Sequence, residues 1–163
     1  REVAQKNVEN DKKLAKQAFY DGTAFHRIIK GFMIQGGDPN TKDDDPRNDG
    51  AGNPGYTVPA EINPKYKHVR GALAAARMGD QINPKKESSG SQFYIVENHQ
   101  GTPQLDEAYT VYGQVIDGLQ VIDKIAEQAV DGRNRPLSDI KMKVKVEDVK
   151  KKKIAKKYRY TYL

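Results

Sequence analysis

The sequence predicts a mainly-β domain in which short strands form a barrel and helices cover its ends. Three observations predict it. Runs rich in β-branched and aromatic residues are short and widely spaced. The middle of the chain is dense in turn formers, with ten of the fourteen glycines and seven of the eight prolines between residues 31 and 103. Helical periodicity is confined to two stretches, and 163 residues suffice for one core.

Taken in order, residues 3–18 read as an amphipathic helix, with Val8, Leu14, Ala15 and Ala18 sharing a face and Lys6, Lys12, Lys13 and Lys16 mostly elsewhere. Asp21-Gly22 ends it in a turn. Strands are expected over 23–29 and, after Gly31, over 32–35. From 38 to 64 the pattern gives way to Pro, Asn, Asp and Gly, including the acidic run Asp43, Asp44, Asp45. Strands follow at 72–76, 92–96 and 111–116, then a short helix at 119–126. The clearest alternation comes last: Ile140, Met142, Val144 and Val146 interleave with Lys141, Lys143, Lys145 and Glu147, which predicts a strand with one buried face. A basic tail over 150–163, ending in Tyr158, Tyr160 and Tyr162, is expected to stand in solvent, outside a domain formed by residues 1–149.

Composition excludes several classes. No apolar run approaches the roughly 20 residues of a membrane-spanning helix. Without cysteine there is no disulfide, thiolate metal site or Cys nucleophile. The three histidines, 26, 68 and 99, lack zinc-like spacing, so His26 is read as a packed structural residue. The run Asp43–Asp45 lacks a calcium-loop pattern and reads as a solvated turn. The net charge of +6 is local: residues 141–163 hold ten basic and two acidic groups, whereas residues 1–140 hold eighteen and twenty. A nucleic-acid-binding domain carries its basic residues across a folded face, so no specific nucleic acid is expected as partner. Nothing resembles a secretory signal, and the abrupt polar, helix-like start leaves open that one was removed.

Residues 25–38 carry the chemistry. A hydrophobic strand presents Arg27 between His26 and Ile28; Phe32 and Met33 follow a glycine, then Gln35 and the pair Gly36-Gly37. Directional hydrogen-bonding groups beside apolar surface suit a small apolar ring flanked by peptide groups. The string Phe-His-Arg-Ile-Ile-Lys-Gly-Phe-Met-Ile-Gln-Gly-Gly-Asp resembles the signature of the cyclophilins, differing mainly at Lys30, where proline is common. Gly90-Ser91-Gln92-Phe93-Tyr94-Ile95 is similar to that family's strand bearing another pocket aromatic. Leu105-Asp106 through Val111-Tyr112-Gly113 is similar to its pocket-closing loop and strand, and the register agrees over roughly residues 3–147.

The resemblance implies an eight-stranded antiparallel barrel capped by two helices, acting as a peptidyl-prolyl cis–trans isomerase on proline-containing polypeptides, without cofactor or metal. By the same resemblance Arg27 is the catalytic residue; Phe32, Met33 and Leu105 wall the proline pocket; and Tyr94 replaces a phenylalanine as its floor. Gln35 and Gln92 hydrogen-bond the substrate backbone or hold Arg27, while Ala76 and the backbone of Arg77 form a short edge for the peptide. These residue types suffice because the reaction moves no proton. Amide resonance sets a barrier of ~18–20 kcal/mol. Twisting localises the nitrogen lone pair, and a guanidinium aimed at that nitrogen favours the twisted state over either planar one.

Departures from the family set further expectations. Its two strands ahead of the first helix do not precede residue 3, so either a longer natural chain or a partner is expected to supply them and cover the open edges. Asp11 stands where the family has a core phenylalanine, and Gln5 where it has proline; an unpaired carboxylate there would cost several kcal/mol. Gln104 replaces a rim tryptophan and Tyr109 a rim histidine, the latter as in bacterial members. Weakened binding of the cyclic peptide drug cyclosporin follows. A monomer in a bacterial cytoplasm or periplasm is expected. The alternative reading is a proline-peptide-binding scaffold with little catalysis, motivated by the altered rim and the absent strands.

Overall fold

Five of the six expected strand regions pair in one antiparallel sheet. The computed structural model describes residues 3–163, with α1 (Gln5–Lys16), β1 (Arg27–Ile29), β2 (Met33–Gly36), β3 (Thr57–Val58), β4 (Ala72–Ala75), β5 (Ser88–Ser89), β6 (Phe93–Val96), β7 (Val111–Gln114), α2 (Leu119–Ala126) and α3 (Lys151–Tyr158). The sheet order is β1-β2-β6-β4-β7, and β3 and β5 form a separate two-stranded ribbon. The mainly-β antiparallel architecture is therefore as expected, with seven strands rather than eight among the described residues.

Side-chain parity divides this sheet into two faces. Ile28, Ile34, Phe93, Leu73, Ile95 and Tyr112 point to one side and pack with Leu14 and Ala15 of α1 and Ile122 and Ala126 of α2. Met33, Tyr94, Val96, Ala72, Ala74 and Val111 point to the other, against Phe32, Leu105 and Tyr109. Alanines at 72, 74 and 76 keep that second face shallow enough for the loop through residues 103–110 to lie across it. At the end of β2, Gly37 holds φ +87°, and a Cβ there would come within 2.3 Å of the Ser91 carbonyl oxygen, so only glycine fits.

Helix α1 is capped by a residue far away in sequence. Its flanking Ala4 offers no side-chain cap, and Glu61 takes the role: its carboxylate accepts from Lys6 N at 3.1 Å, Asn7 N at 2.9 Å and Asn7 Nδ2 at 2.7 Å. The helix is shorter than the expected 3–18. Ala18 lies beyond it, exposed at φ 56°, and the buried face is Asn7, Leu14 and Ala15. Asp11 is not left unpaired. The Tyr20 hydroxyl donates to its carboxylate, while burial holds that carboxyl above the usual range against the opposing pull of this bond.

The expected strand at 140–147 does not form, although its side chains face as predicted. Ile140, Met142, Val144 and Val146 are half-buried against the interior cluster, and the lysines between them are exposed. Its backbone meets the chain at an isolated bridge, Lys141 to Ala24, flanked by Phe25 N to Ile140 O at 3.0 Å and Met142 N to Thr23 O at 2.9 Å. The neighbouring segment then turns away at Gly22, φ +81°, and at Val144 the N–H is met by the Asp21 side chain instead (3.1 Å). The basic tail keeps its lysines and Arg159 exposed. It folds as a third helix, α3, with Ile154 and Tyr158 half-buried beside Val115, Ile116 and Val149.

Candidate active site

The β1–β2 hairpin builds the first part of the site. Phe32 N donates to Ile29 O at 3.0 Å, with Gly31 at φ +77° permitting the turn, and the register pairs Arg27 with Gln35, Ile28 with Ile34 and Ile29 with Met33. Arg27 and Gln35 are therefore direct cross-strand neighbours on one face. The next strand sets Tyr94 opposite Gln35, and β4 sets Ala74 opposite Tyr94. One transverse row thus runs Arg27, Gln35, Tyr94, Ala74.

Above this row lies a cavity of about 130 Å³ lined by Arg27, Phe32, Met33, Gln35, Ala76, Arg77, Tyr94, Leu105 and Tyr109. Nine of the ten residues singled out in the sequence meet there. A cavity of about 150 Å³ takes a benzene-sized ring, so this one is of single-ring size. Gln92, the tenth, lines an adjoining open groove of about 950 Å³ with residues 49–53, Tyr56, Met78, Ile82 and Glu87. Its Nε2 donates to Gly50 O at 3.0 Å and Gly52 O at 2.8 Å, and its Oε1 accepts from Gln35 Nε2 at 3.2 Å. That groove wall is in turn organised by buried Asp38, whose carboxylate accepts from the backbone N–H groups of Asn40, Gly50 and Gly52. Gln35, Ala76 and Arg77 line both cavities.

Arg27 is exposed, and its guanidinium makes no hydrogen bond or ion pair among the described residues. The pocket floor, by contrast, is fully engaged. Tyr94 is 4% exposed and its hydroxyl lies 2.8 Å from His68 Nε2, while His68 Nδ1 lies 2.9 Å from Asp106 Oδ1. A carboxylate can only accept, so Nδ1 carries the proton and Nε2 accepts from the Tyr94 hydroxyl. Burial lowers the His68 pKa, with Asp106 opposing, and keeps the imidazole neutral. Burial raises the Tyr94 pKa, aided by Tyr109, so the phenol stays protonated. Tyr109 meets Tyr94 edge-on at 5.7 Å.

His68 and Asp106 were not singled out in the sequence as parts of the site. The signal was the hydroxyl at position 94 where the family has phenylalanine, since a buried phenol requires a partner. His26 is buried as expected, with Nδ1 unpartnered and its pKa lowered by burial against the pull of Asp38 and Asp49. Among the described residues one cluster has the make-up of a metal site, Glu97, His99 and Asp123. Its carboxylates are already engaged: Asp123 by Arg70 at 2.6 Å and His99 at 3.1 Å, and Glu97 by Gly31 N at 2.5 Å. None of the three lines the ring-sized cavity.

Comparison with known proteins assigns a class to this chain, that of the cyclophilin-type peptidyl-prolyl cis–trans isomerases. The family model described as cyclophilin type peptidyl-prolyl cis-trans isomerase/CLD matches residues 1–146, and the chain belongs to that family. Peptidyl-prolyl cis-trans isomerase B of Bacillus subtilis is 43% identical over 121 residues, covering 73% of each chain. Peptidyl-prolyl cis-trans isomerase-like 3 of Mus musculus is 38% identical over 149 residues, covering 87% of this chain and 82% of the relative. The likeness to peptidyl-prolyl cis-trans isomerase-like 2 of Rhizopus delemar, 39% identical, covers 85% of this chain but only 24% of that much longer protein. Among solved structures, a cyclophilin type isomerase of Cryptosporidium parvum aligns with a TM-score of 0.74 at 33% identity, covering 86% of this chain and 82% of that one. The same Cryptosporidium protein, solved in the presence of the dipeptide Ala-Pro, aligns with a TM-score of 0.73.

Proposed function

We propose that Arg27 is the catalytic residue and that the ring-sized cavity beside it receives the substrate proline. The observation that carries this reading is a guanidinium without a partner among the described residues, at the mouth of a cavity walled in part by Phe32, Met33, Tyr94, Leu105 and Tyr109. With the proline ring held by these apolar walls, rotation is confined to the acyl side of the Xaa–Pro bond. As the amide twists, its nitrogen regains a localised lone pair, and an Arg27 N–H donates to it. Neither planar isomer offers that acceptor, so the bond forms only in the transition state. No covalent intermediate arises and no proton is transferred, so the step calls for no cofactor.

The peptide segment beside the proline runs along the end of β4. Ala76 N is engaged by Gln92 O at 3.0 Å, and Ala76 O, which accepts from Ser89 N at 2.8 Å, keeps one further lone pair. Arg77, whose backbone makes no hydrogen bond among the described residues, continues that edge. Gln35, tied to Gln92, faces the same segment beside Arg27. The substrates are proline-containing polypeptides. Cyclosporin binds weakly, because exposed Gln104 lacks the indole donor and large apolar face of tryptophan.

A protease-coupled assay on an Xaa–Pro tetrapeptide tests the reading. Wild type accelerates isomerisation and Arg27→Ala does not. Equal rates for the two would remove Arg27 from the chemistry, and binding of proline peptides without acceleration would make the chain a scaffold.

A further inference from the structure

Among the residues of the site, Arg77 stands out by its side chain. That side chain is 7% exposed, although it lies just beyond the end of β4 where the chain enters a surface loop. Its Nε donates to Ala108 O at 3.0 Å, and its Nη1 to Met78 O at 3.0 Å and Asp80 Oδ1 at 2.7 Å. Asp80 is engaged on its other oxygen by Lys86 Nζ at 2.8 Å. The guanidinium carbon also lies 4.5 Å from the centroid of the Tyr109 ring. A planar, charged fork therefore bonds both loops with its edge and lies with its face against the Tyr109 ring.

The two loops it joins belong to different cavities. Residues 105–109 carry Leu105 and Tyr109 to the ring-sized cavity, whereas residues 77–87 carry Met78, Ile82 and Glu87 to the open groove. Among the described residues, Tyr109 makes no hydrogen bond through its hydroxyl, so its place depends on the rings of Tyr94 and His68 and on the Arg77 guanidinium. Removing the guanidinium frees Tyr109 and the Ala108 carbonyl together.

We propose that the Arg77 side chain is a positioning residue of the isomerase, holding Tyr109 and its loop as the wall of the proline pocket and locking that wall to the loop that borders the groove. This rests on the reading of the ring-sized cavity as the proline site. Arg77 touches the reacting amide at no step; it preorganises the surface that grips the ring. Its loss therefore weakens ground-state and transition-state binding alike, raising KM and sparing kcat.

Arg77→Lys keeps the charge but loses Nε, the planar fork and the stack. In the full chain it is expected to raise KM for the tetrapeptide about tenfold with kcat changed less than about twofold, and with a thermal midpoint near that of wild type. Asp80→Asn, at an exposed residue, loosens one of the three acceptors and is expected to raise KM about twofold to threefold. Tyr109 ring resonances in NMR shift and broaden in both. The proposal is overturned if Arg77→Lys retains wild-type KM and kcat. It is equally overturned if kcat falls while KM holds, which would put Arg77 in the chemistry, or if only the thermal midpoint falls, which would make its role structural. If Arg77→Lys does not fold, Asp80→Asn decides: an unchanged KM and unchanged Tyr109 resonances then reject the proposal. Failure of the underlying site reading is seen separately, as a wild-type chain indifferent to Arg27→Ala.

Discussion

Strand β2 and the segment 140–146 carry the same alternation and end in different structures. In β2, Met33, Ile34 and Gln35 are hydrogen-bonded on both edges, to β1 and to β6, and Met33 and Ile34 are each 1% exposed. In 140–146 the inward side chains reach the same interior cluster but remain half-buried, and the backbone meets one neighbouring segment over residues 140–142 and the Asp21 side chain at Val144. Period-two patterning therefore reports which side chains turn inward. It does not report whether a neighbouring strand exists to take the backbone groups. The distinction matters for function, because β2 is rigid enough to carry the pocket, whereas 140–146 lines the far side of the sheet and holds no site residue.

The largest effect expected from breaking this contrast is in activity. Arg27→Ala, beside β2, should lower kcat/KM by ~10²–10³-fold, the usual cost of removing one donor aimed at a transition state. The protease-coupled assay reads it directly, with far-UV circular dichroism to show an intact fold.

Stability sharpens the comparison next. Ile34→Ala should cost ~2–5 kcal/mol in urea denaturation, because a fully buried side chain leaves a cavity in the interior cluster. Val144→Ala, chemically similar but half-buried, should cost ~1 kcal/mol or less. Equal losses would mean that 140–146 is packed as tightly as a paired strand.

A third, gentler effect is on pH dependence. His26 and His68 are held neutral by burial, so their folded pKa values lie below the unfolded 6.5. Above 6.5 neither state binds the extra protons and the term is silent. As pH falls below 6.5 the unfolded chain protonates first, and stability drops until the folded values are passed. Urea midpoints at pH 7 and pH 5.5 should therefore differ, pH 5.5 being the lower, and His26→Gln should flatten part of the slope. The smallest effect is at α3: Lys152→Glu with Lys156→Glu, both exposed, should leave kcat/KM within about twofold and stability within ~0.5 kcal/mol.

Much of the site was legible because its parts lie close together in the chain. Arg27, Phe32, Met33 and Gln35 sit on one hairpin whose turn the sequence announces through Gly31, so their register follows from local geometry. Tyr94 and Leu105 were legible only through resemblance, since nothing local says that β6 and the loop after it lie beside that hairpin. The Tyr94 hydroxyl announces that a partner is needed, but not that it is His68 backed by Asp106, because His68 and Tyr94 meet across 26 positions of sequence. The same holds for Glu61, which caps α1 from 55 residues away.

By itself, the sequence determined the mainly-β class, the inward and outward faces of residues 140–146 and the hairpin that brings Arg27 beside Gln35, because these depend on side-chain period and on turns of a few residues. Only the tertiary structure decided which of those faces is paired, that 140–146 remains an extended segment, that the basic tail folds as a helix, and that Arg77 ties two loops together. Those outcomes depend on which distant backbone and side-chain groups are within hydrogen-bonding reach, a quantity that no pattern of residue types along one stretch of chain contains.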